Sequence, residues 1–166
     1  MVDDCIFCKI IAGDIPSSKV YEDEEVLAFL DISQVTPGHT LVVIPSSKVY
    51  EDEEVLAFLD ISQVTPGHTL VVPKKHARNL LEMDETATAQ LFARVSKVAK
   101  KVEAATQAKG MNIISNMEEV SGQTVFHTHV HIIPRYSDQD ELAISFTEHE
   151  PNFEQLAVLA ETIKNS

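Results

Sequence analysis

The chain has 166 residues, of which 44% are apolar, and its formal charge at pH 7 is −13. This length and apolar fraction suit a single domain with one hydrophobic core. The acidic charge excludes a long nucleic-acid strand as the main partner, because proteins bind such strands through clustered Lys and Arg. No apolar run reaches the ~18 to 20 residues of a membrane span, and the start lacks a cationic signal segment, so we expect a cytoplasmic protein with no membrane contact.

The first predicted element is a short N-terminal helix over residues 5–12, ended by Gly13. The segment after it is a tandem repeat, because residues 15–43 recur without a change as residues 44–72. Each copy predicts three strands from its β-branched and aromatic residues. These strands lie at residues 19–22, 26–30 and 40–43 in the first copy, and at 48–51, 55–59 and 69–72 in the second.

The duplication does not predict a solenoid, because natural stacked repeats diverge and need three or more units. It indicates a recent tandem duplication or a deliberate insertion. We therefore expect one domain over residues 1–166, with one copy excess to it. Because the second copy continues directly into Pro73 and His76, we expect it to supply the native strands, with the displaced first copy pairing elsewhere or swapping into a partner subunit.

A long amphipathic helix follows the copies. Asp84 suits an N-cap and Gly110 a stop, and the apolar residues between them follow helical spacing. Residues 111–115 and 125–133 predict strands, and the apolar spacing between Phe153 and Ile163 predicts a final helix. Hairpin strands, a helix and further strands indicate an α+β fold with an antiparallel sheet.

Three histidines alternate within the last predicted strand, at His127, His129 and His131. On a strand, all three side chains project from one face. A single histidine is usually a surface residue or a satisfied core residue. Three in register indicate instead that this face has a chemical purpose.

One such purpose is a single metal ion bound by all three imidazoles, as in zinc hydrolases. His127 and His131 would lie about 13 Å apart at the backbone, which strains a shared ion. The other purpose is covalent catalysis, because neutral imidazole is a competent nucleophile near pH 7. In that case the central His129 attacks, and His131 contacts the phosphoryl oxygens or assists the leaving group as a general acid.

The segment His127-Thr128-His129-Val130-His131-Ile132-Ile133 resembles the signature of the histidine triad family of nucleotide hydrolases and transferases. Thr128 departs from it at a position that is usually apolar. Apart from the extra copy, the resemblance covers nearly the whole chain and is closest to the bacterial, Hint-like branch that cleaves nucleoside phosphoramidates. The further matches are Cys5-Ile6-Phe7-Cys8-Lys9, Asp60-Ile61-Ser62, Pro66-Gly67-His68, Pro73-Lys74-Lys75-His76, Asn116 and Gly122-Gln123-Thr124.

The resemblance implies the histidine triad fold, a homodimer and a two-step reaction on a purine nucleotide. His129 would attack the α-phosphorus and expel the leaving group, and water would then release a nucleoside monophosphate. The P–N or P–O bond at the α-phosphate is the one cleaved. His68, at the start of a predicted strand, is expected to line the site. The resemblance also implies nucleotide contacts by Asp60 and Ile61 to the ribose and base, and by Asn116, Gln123 and Thr124 to the α-phosphate or leaving group.

Cys5 and Cys8 form a C-x-x-C pair, which by itself is a weak motif and is most simply two buried thiols. Redox use would need a preceding strand and a βαβ pattern, and neither is predicted. The resemblance implies a structural zinc site completed by His76 and His127. That assignment removes His127 from catalysis.

Two other functions stay open on the sequence. One is a zinc-dependent hydrolase that uses the three histidines as metal ligands, and removal of the metal discriminates it. The other is a non-catalytic nucleotide-binding or interaction module, and trapping a phosphohistidine discriminates it. No redox cofactor is expected.

Overall fold

The computed structural model describes residues 5–12, 19–22, 27–30, 40–43, 47–140 and 142–166. The predicted stop at Gly13, the predicted strand residue Val26 and His39 lie outside these ranges. The helices and strands, in chain order, are α1 (Ile6–Ala12), β1 (Lys19–Glu22), β2 (Leu27–Leu30), β3 (Thr40–Val43), β4 (Lys48–Glu51), β5 (Val55–Leu59), β6 (Thr69–Pro73), α2 (Glu85–Thr106), β7 (Gly110–Ile114), β8 (Val130–Arg135) and α3 (Phe153–Lys164).

The main sheet has five antiparallel strands in the order β4-β5-β6-β8-β7. Together with the helices it confirms the predicted α+β class. Side chains alternate across this sheet, as the pleat requires. Val55, Ala57 and Val71 are buried with α2, whereas Leu56 and Phe58 are buried on the other face with α1.

Helix α2 covers one face of the sheet, and its predicted apolar stripe is the part that packs. Its N-cap is Asp84, whose side chain accepts the backbone N–H of Ala87 at 2.8 Å. The predicted stop at Gly110 is wrong. The helix ends at Thr106, because Gln107 takes the left-handed conformation with φ 58° and its N–H donates to the carbonyl of Glu103. The buried residues of the stripe are Leu91, Val95, Val98 and Val102.

The two copies lie in different sheets. The first copy forms a three-stranded sheet of its own, β1-β2-β3, and the second copy contributes β4, β5 and β6 to the main sheet. The register is the same in both, because Lys19 pairs with Phe29 as Lys48 pairs with Phe58. β6 pairs with β8, the strand that carries His131. The strand of the duplicated segment that pairs with the histidine-bearing strand therefore belongs to the second copy.

Strand β8 is shorter than predicted, because it begins at Val130 rather than at residue 125. The preceding residues bond to the segment after β6 instead of to a neighbouring strand. The backbone N–H of Thr128 donates to the carbonyl of Ala77 at 2.7 Å, and its hydroxyl donates to the same oxygen at 3.1 Å. Thr128, the departure from the family signature, thus makes a polar contact that an apolar residue would lack.

The final helix, α3, forms where the apolar spacing predicts it and is capped by Asn152. Its large apolar side chains lie on the surface, with Phe153 77% and Ile163 67% exposed. Among the described residues, no helix is long and apolar enough to cross a membrane.

Candidate active site

The three alternating histidines lie side by side at the start of β8. The ring centroids of His129 and His131 are 5.1 Å apart. Phe7 of α1 packs edge-on against His127 and His129, with centroid distances of 5.8 and 5.2 Å. The sequence analysis quotes Phe7 within a motif but gives it no role. Its position between Cys5 and Cys8 is the sequence feature from which a role could have been predicted.

Each of the three imidazoles has a different polar partner. His127 Nδ1 faces the two cysteines, His129 Nδ1 faces the carbonyl of His127, and His131 Nδ1 faces the Nε2 of His68. Within the described ranges, the groups of residues that could share a metal each contain at most one of these three histidines. This geometry disfavours a single metal ion bound by all three.

His129 is held in one tautomer by its backbone partner. Its Nδ1–H donates to the carbonyl of His127 at 2.7 Å, which leaves a lone pair on Nε2. The side chain is buried, with 6% exposed, and burial lowers its pKa below the ordinary 6.5. His129 is therefore neutral at pH 7, with one nitrogen free to act as a nucleophile.

His131 is connected to a second imidazole and a carboxylate. Its Nδ1 lies 2.9 Å from the Nε2 of His68, and the Nδ1 of His68 lies 3.6 Å from the carboxylate of Asp60. Burial, with smaller effects of His129 and His68, lowers the pKa of His131 to about 4. Burial also lowers the pKa of His68, against the opposing charge of Asp60. Both rings are thus neutral near pH 7 in the free protein.

The β5–β6 turn positions Asp60 and His68 opposite each other. The backbone N–H of Asp60 donates to the carbonyl of His68 at 2.9 Å, and the carboxylate of Asp60 accepts the N–H of Ser62 at 2.8 Å. Ile61, between them, is 43% exposed, as a residue that stacks on a ligand would be. The structure therefore brings three predicted nucleotide-contact residues to one end of the sheet.

The loop between β7 and β8 holds the other three predicted nucleotide contacts, Asn116, Gln123 and Thr124. Gly122 has φ 92°, and a Cβ there would lie 3.4 Å from the side-chain nitrogen of Asn116. Ser115 Oγ donates to the carbonyl of His129 at 2.9 Å and connects the loop to the backbone of this histidine. Sequence reasoning did not single out Ser115, and nothing in its local pattern marks it.

Gln123 differs in setting from its neighbours, because it is buried with 2% exposed whereas Thr124 is exposed. Its Nε2 donates to the carbonyls of Arg78 and Val125 at 2.7 and 3.0 Å, and its Oε1 accepts the N–H of Glu118 at 2.8 Å. The side-chain amide is therefore satisfied by the backbone. In this structure Gln123 orders the loop, and a direct contact with a ligand would require one of these bonds to break.

The cysteine pair of α1 meets two histidines at a second cluster. The four ligand atoms all lie within 4.8 Å of one another. At a tetrahedral zinc, ligand atoms lie ~3.3 to 3.8 Å apart, and four of the separations here lie in that range or within about 0.2 Å of it. The measured separations are Cys5 Sγ to His127 Nδ1 3.2 Å, Cys8 Sγ to His76 Nδ1 3.2 Å, Cys8 Sγ to His127 Nδ1 3.4 Å and His76 Nδ1 to His127 Nδ1 3.1 Å.

The protonation states at this cluster also fit a metal. His127 Nε2–H donates to the carbonyl of Pro73 at 2.8 Å, which leaves Nδ1 as the free ligand atom. Burial lowers the pKa of His127 to about 4. Burial and the adjacent Cys5 raise the pKa of Cys8 to about 12, so a cation is needed before the Cys8 thiol becomes a thiolate.

A family model described as the HIT domain matches residues 12–45 and again residues 43–138. Protein hit of Bacillus subtilis is 42% identical over 151 residues, which cover 91% of this chain and 84% of that protein. Adenosine 5'-monophosphoramidase of Schizosaccharomyces pombe is 32% identical over 161 residues, which cover 97% of this chain and 96% of that enzyme.

Solved structures with the same fold include SMU.412c from Streptococcus mutans, with a TM-score of 0.77 and 52% identity over 98% of this chain and 85% of that one. A Zn-bound histidine triad family protein from Mycobacterium smegmatis has a TM-score of 0.62 and 28% identity, with full coverage of both chains.

Proposed function

The chain belongs to the HIT domain family, and from that premise we propose that it is a nucleotide hydrolase or transferase that forms a covalent nucleotidyl-histidine on His129. The observation that carries the proposal is the state of His129, which is neutral, buried, fixed through Nδ1 and free at Nε2. The activity of the yeast relative, named as an adenosine 5'-monophosphoramidase, supports the same class of substrate.

In the proposed reaction, the Nε2 of His129 forms a bond to the α-phosphorus of a purine nucleotide derivative. The P–N or P–O bond to the leaving group breaks, and its electron pair departs with the amine or oxygen, which gains a proton. Water then attacks the same phosphorus, the P–Nε2 bond breaks, and a nucleoside monophosphate leaves with His129 restored. His131 is neutral in the free protein, so its role is to hydrogen-bond the phosphoryl oxygens and, once their charge raises its pKa, to supply the proton.

The nucleotide is proposed to lie between the β5–β6 turn and the β7–β8 loop. Asp60 accepts hydrogen bonds from the ribose, Ile61 packs on the base, and His68 supports His131. Asn116 and Thr124 contact the α-phosphate or the leaving group, and Gln123 keeps their loop in place.

A structural zinc ion is proposed at Cys5, Cys8, His76 and His127. When bound, the ion would neutralise the two thiolates and link α1 to the segments after β6 and before β8. Four protein ligands leave no open position, which suits a structural and not a catalytic metal. The donor set and its separations support the proposal, as does the zinc of the mycobacterial relative.

A homodimer is also proposed. The large apolar residues of α3 are exposed, and a helix of 12 residues is marginal in water without a packing partner. Contiguous exposed apolar surface of this kind is typical of an interface. A partner subunit that covered these side chains would give α3 the packing that they lack in the single chain.

The proposed mechanism predicts that activity is lost at a pH below the ordinary pKa of histidine. Because burial lowers the pKa of His129, protonation should remove the nucleophile only below pH 6.5, and kcat/KM should be flat from pH 8 down to that value. Steady-state kinetics across pH 4 to 9 would measure this. A loss of kcat/KM centred above pH 6.5 would contradict it. The melting temperature must be recorded in parallel, since depressed histidine pKa values also make the fold less stable as pH falls.

The duplication predicts an asymmetry between identical residues. We propose that residues 1–166 form one domain in which the first copy is the excess one, so His68 serves the site and its twin His39 does not. His68→Ala should lower kcat/KM about 10- to 100-fold, whereas His39→Ala should be nearly silent. Equal losses, or a loss confined to His39→Ala, would assign the site to the first copy.

The experiment that tests the function is incubation with adenylyl and guanylyl phosphoramidates and with dinucleoside polyphosphates, scored for released nucleoside monophosphate. Turnover of any of these supports the enzyme, and the pattern identifies the leaving group and base. Nucleotide binding without turnover or a trapped phosphohistidine would indicate instead a non-catalytic binding module.

A further inference from the structure

Glu118 joins the β7–β8 loop to the segment that follows β6. Its carboxylate accepts two parallel bonds from Arg78, Nε to Oε1 and Nη2 to Oε2, both 2.7 Å long. Asn79 Nδ2 adds a third bond of 2.8 Å, and the N–H of Glu118 donates to Gln123 Oε1 at 2.8 Å. The guanidinium of Arg78 lies 3.9 Å from the ring centroid of Phe126. Two parallel hydrogen bonds from a stacked guanidinium fix both the orientation of Glu118 relative to Arg78 and the distance between them.

The backbone of Glu118 is held in a costly conformation, with φ 71° and ψ 162°. Glycine adopts this region freely, but residues with a side chain rarely do. Such backbone persists only where the surroundings determine it. Since a glycine at this position would remove the cost, the side chain of Glu118 must contribute something that glycine lacks, and its bonds to Arg78 and Asn79 are that contribution.

Both ends of the Arg78–Glu118 pair are connected to the backbone around His129. Ala77, next to Arg78, accepts the N–H of Thr128. Ser115, on the loop just before Glu118, donates to the carbonyl of His129. The pair therefore closes a ring of contacts that runs through the nucleophile's own segment.

We propose that Arg78 and Glu118 are positioning residues, which hold the loop carrying Asn116 and Thr124 in place for the α-phosphate of a nucleotide. This inference rests on the proposed function of that site. An exposed ion pair adds little to folding stability, whereas groups already in place around a reacting phosphate add strongly to rate. Loss of the pair should therefore appear in catalysis and in loop order before it appears in stability.

The test uses the full chain with Arg78→Met, Glu118→Gly and the double variant. Each single change should lower kcat about 10- to 100-fold on an adenosine phosphoramidate, with a smaller change in KM. The double variant should be no worse than the worse single variant, because both remove one contact. Arg78→Lys, which keeps the charge but not the two-pronged geometry, should recover only part of the loss.

Two measurements separate positioning from a purely structural role. Hydrogen exchange of the Ser121, Gly122 and Gln123 amides, which now donate to the carbonyls of Glu118 and Glu119, should speed up about tenfold in either single variant. Glu118→Gly should not lower the melting temperature, because relief of the backbone cost offsets the lost pair. A matched control is Arg94→Met, which breaks an Arg–carboxylate pair of 2.9 Å between α2 and the β4–β5 turn and should leave kcat unchanged.

The inference fails if the two single losses multiply in the double variant. It also fails if Glu118→Gly lowers the melting temperature while kcat and loop exchange stay at wild-type values. Failure of the proposed function is a different result, in which the unaltered protein turns over no nucleotide derivative. In that case loop exchange and AMP affinity of the same variants decide whether the pair organises the loop.

Discussion

We expect His129→Asn to reduce turnover by about four to six orders of magnitude, while the protein keeps its fold. The reason is that we propose Nε2 of His129 as the acceptor of the nucleotidyl group, whereas both ring nitrogens of His127 already have partners, Cys5 Sγ and the carbonyl of Pro73, and His131 is paired with His68. Asparagine approximates the shape of the ring near Nδ1 and can still donate to the carbonyl of His127. Single-turnover release of AMP from an adenosine phosphoramidate measures the loss.

Two further observations make this result specific. His149→Ala, at an exposed histidine near the end of the chain, is the matched control and should retain wild-type turnover. Quenching the wild-type reaction in alkali should trap a nucleotidyl-histidine, which is stable under those conditions only when nitrogen carries the phosphorus. Residual turnover of His129→Asn within tenfold of wild type would rule out the covalent mechanism.

The elements that the sequence predicts well are those whose local pattern and tertiary packing agree. Helix α2 has an apolar stripe that packs on the sheet and an N-cap in Asp84, so its start and its buried face follow from spacing alone. Its end does not, because Gln107 takes a left-handed conformation that glycine usually supplies, and its side chain donates to the carbonyl of Ala104. Gly110, the predicted stop, is instead the first residue of β7.

The grouping of side chains at the candidate site was predictable where it depends on residue types and spacing, and less so where it depends on partners distant in sequence. The alternation of His127, His129 and His131 predicts that their side chains lie together, and the structure places them side by side. The later start of β8 does not show in the sequence, because it follows from the contact of Thr128 with Ala77. The pairing of Arg78 with Glu118 has no local signal either, since 40 positions separate them.

The duplicated segment shows the limit of local reasoning most directly. The two copies have identical propensities and identical strand registers, so no pattern within them distinguishes one from the other. Chain continuity does distinguish them. Only the second copy runs directly into Pro73, whose carbonyl accepts a bond from His127, and into His76 of the cysteine–histidine cluster.

We expect Cys8→Ala to abolish zinc binding and to lower the melting temperature by about 8 to 16 °C relative to the zinc-loaded protein. A ligand at 1,000 times its Kd stabilises the folded state by about 4 kcal/mol, and each kcal/mol shifts the melting temperature of a chain this size by about 2 to 4 °C. The effect is large because Cys8 lies in α1 and Cys5 directly precedes it, and Ile6 and Phe7 of this helix cover one face of the sheet. Elemental analysis and thermal unfolding measure it.

The matched control exploits the second group of possible metal ligands, Asp60, His68 and His131. His68→Ala should keep one zinc per chain, because we propose that this group contacts the nucleotide and does not bind the metal. Zinc loss in His68→Ala and retention in Cys8→Ala would place the metal at the reactive histidines, and the zinc-dependent hydrolase would then be favoured. Turnover after removal of the metal also distinguishes the two mechanisms. A covalent-histidine enzyme stripped of a structural zinc keeps activity in the fraction that stays folded. A zinc hydrolase loses its activity as soon as the metal is removed.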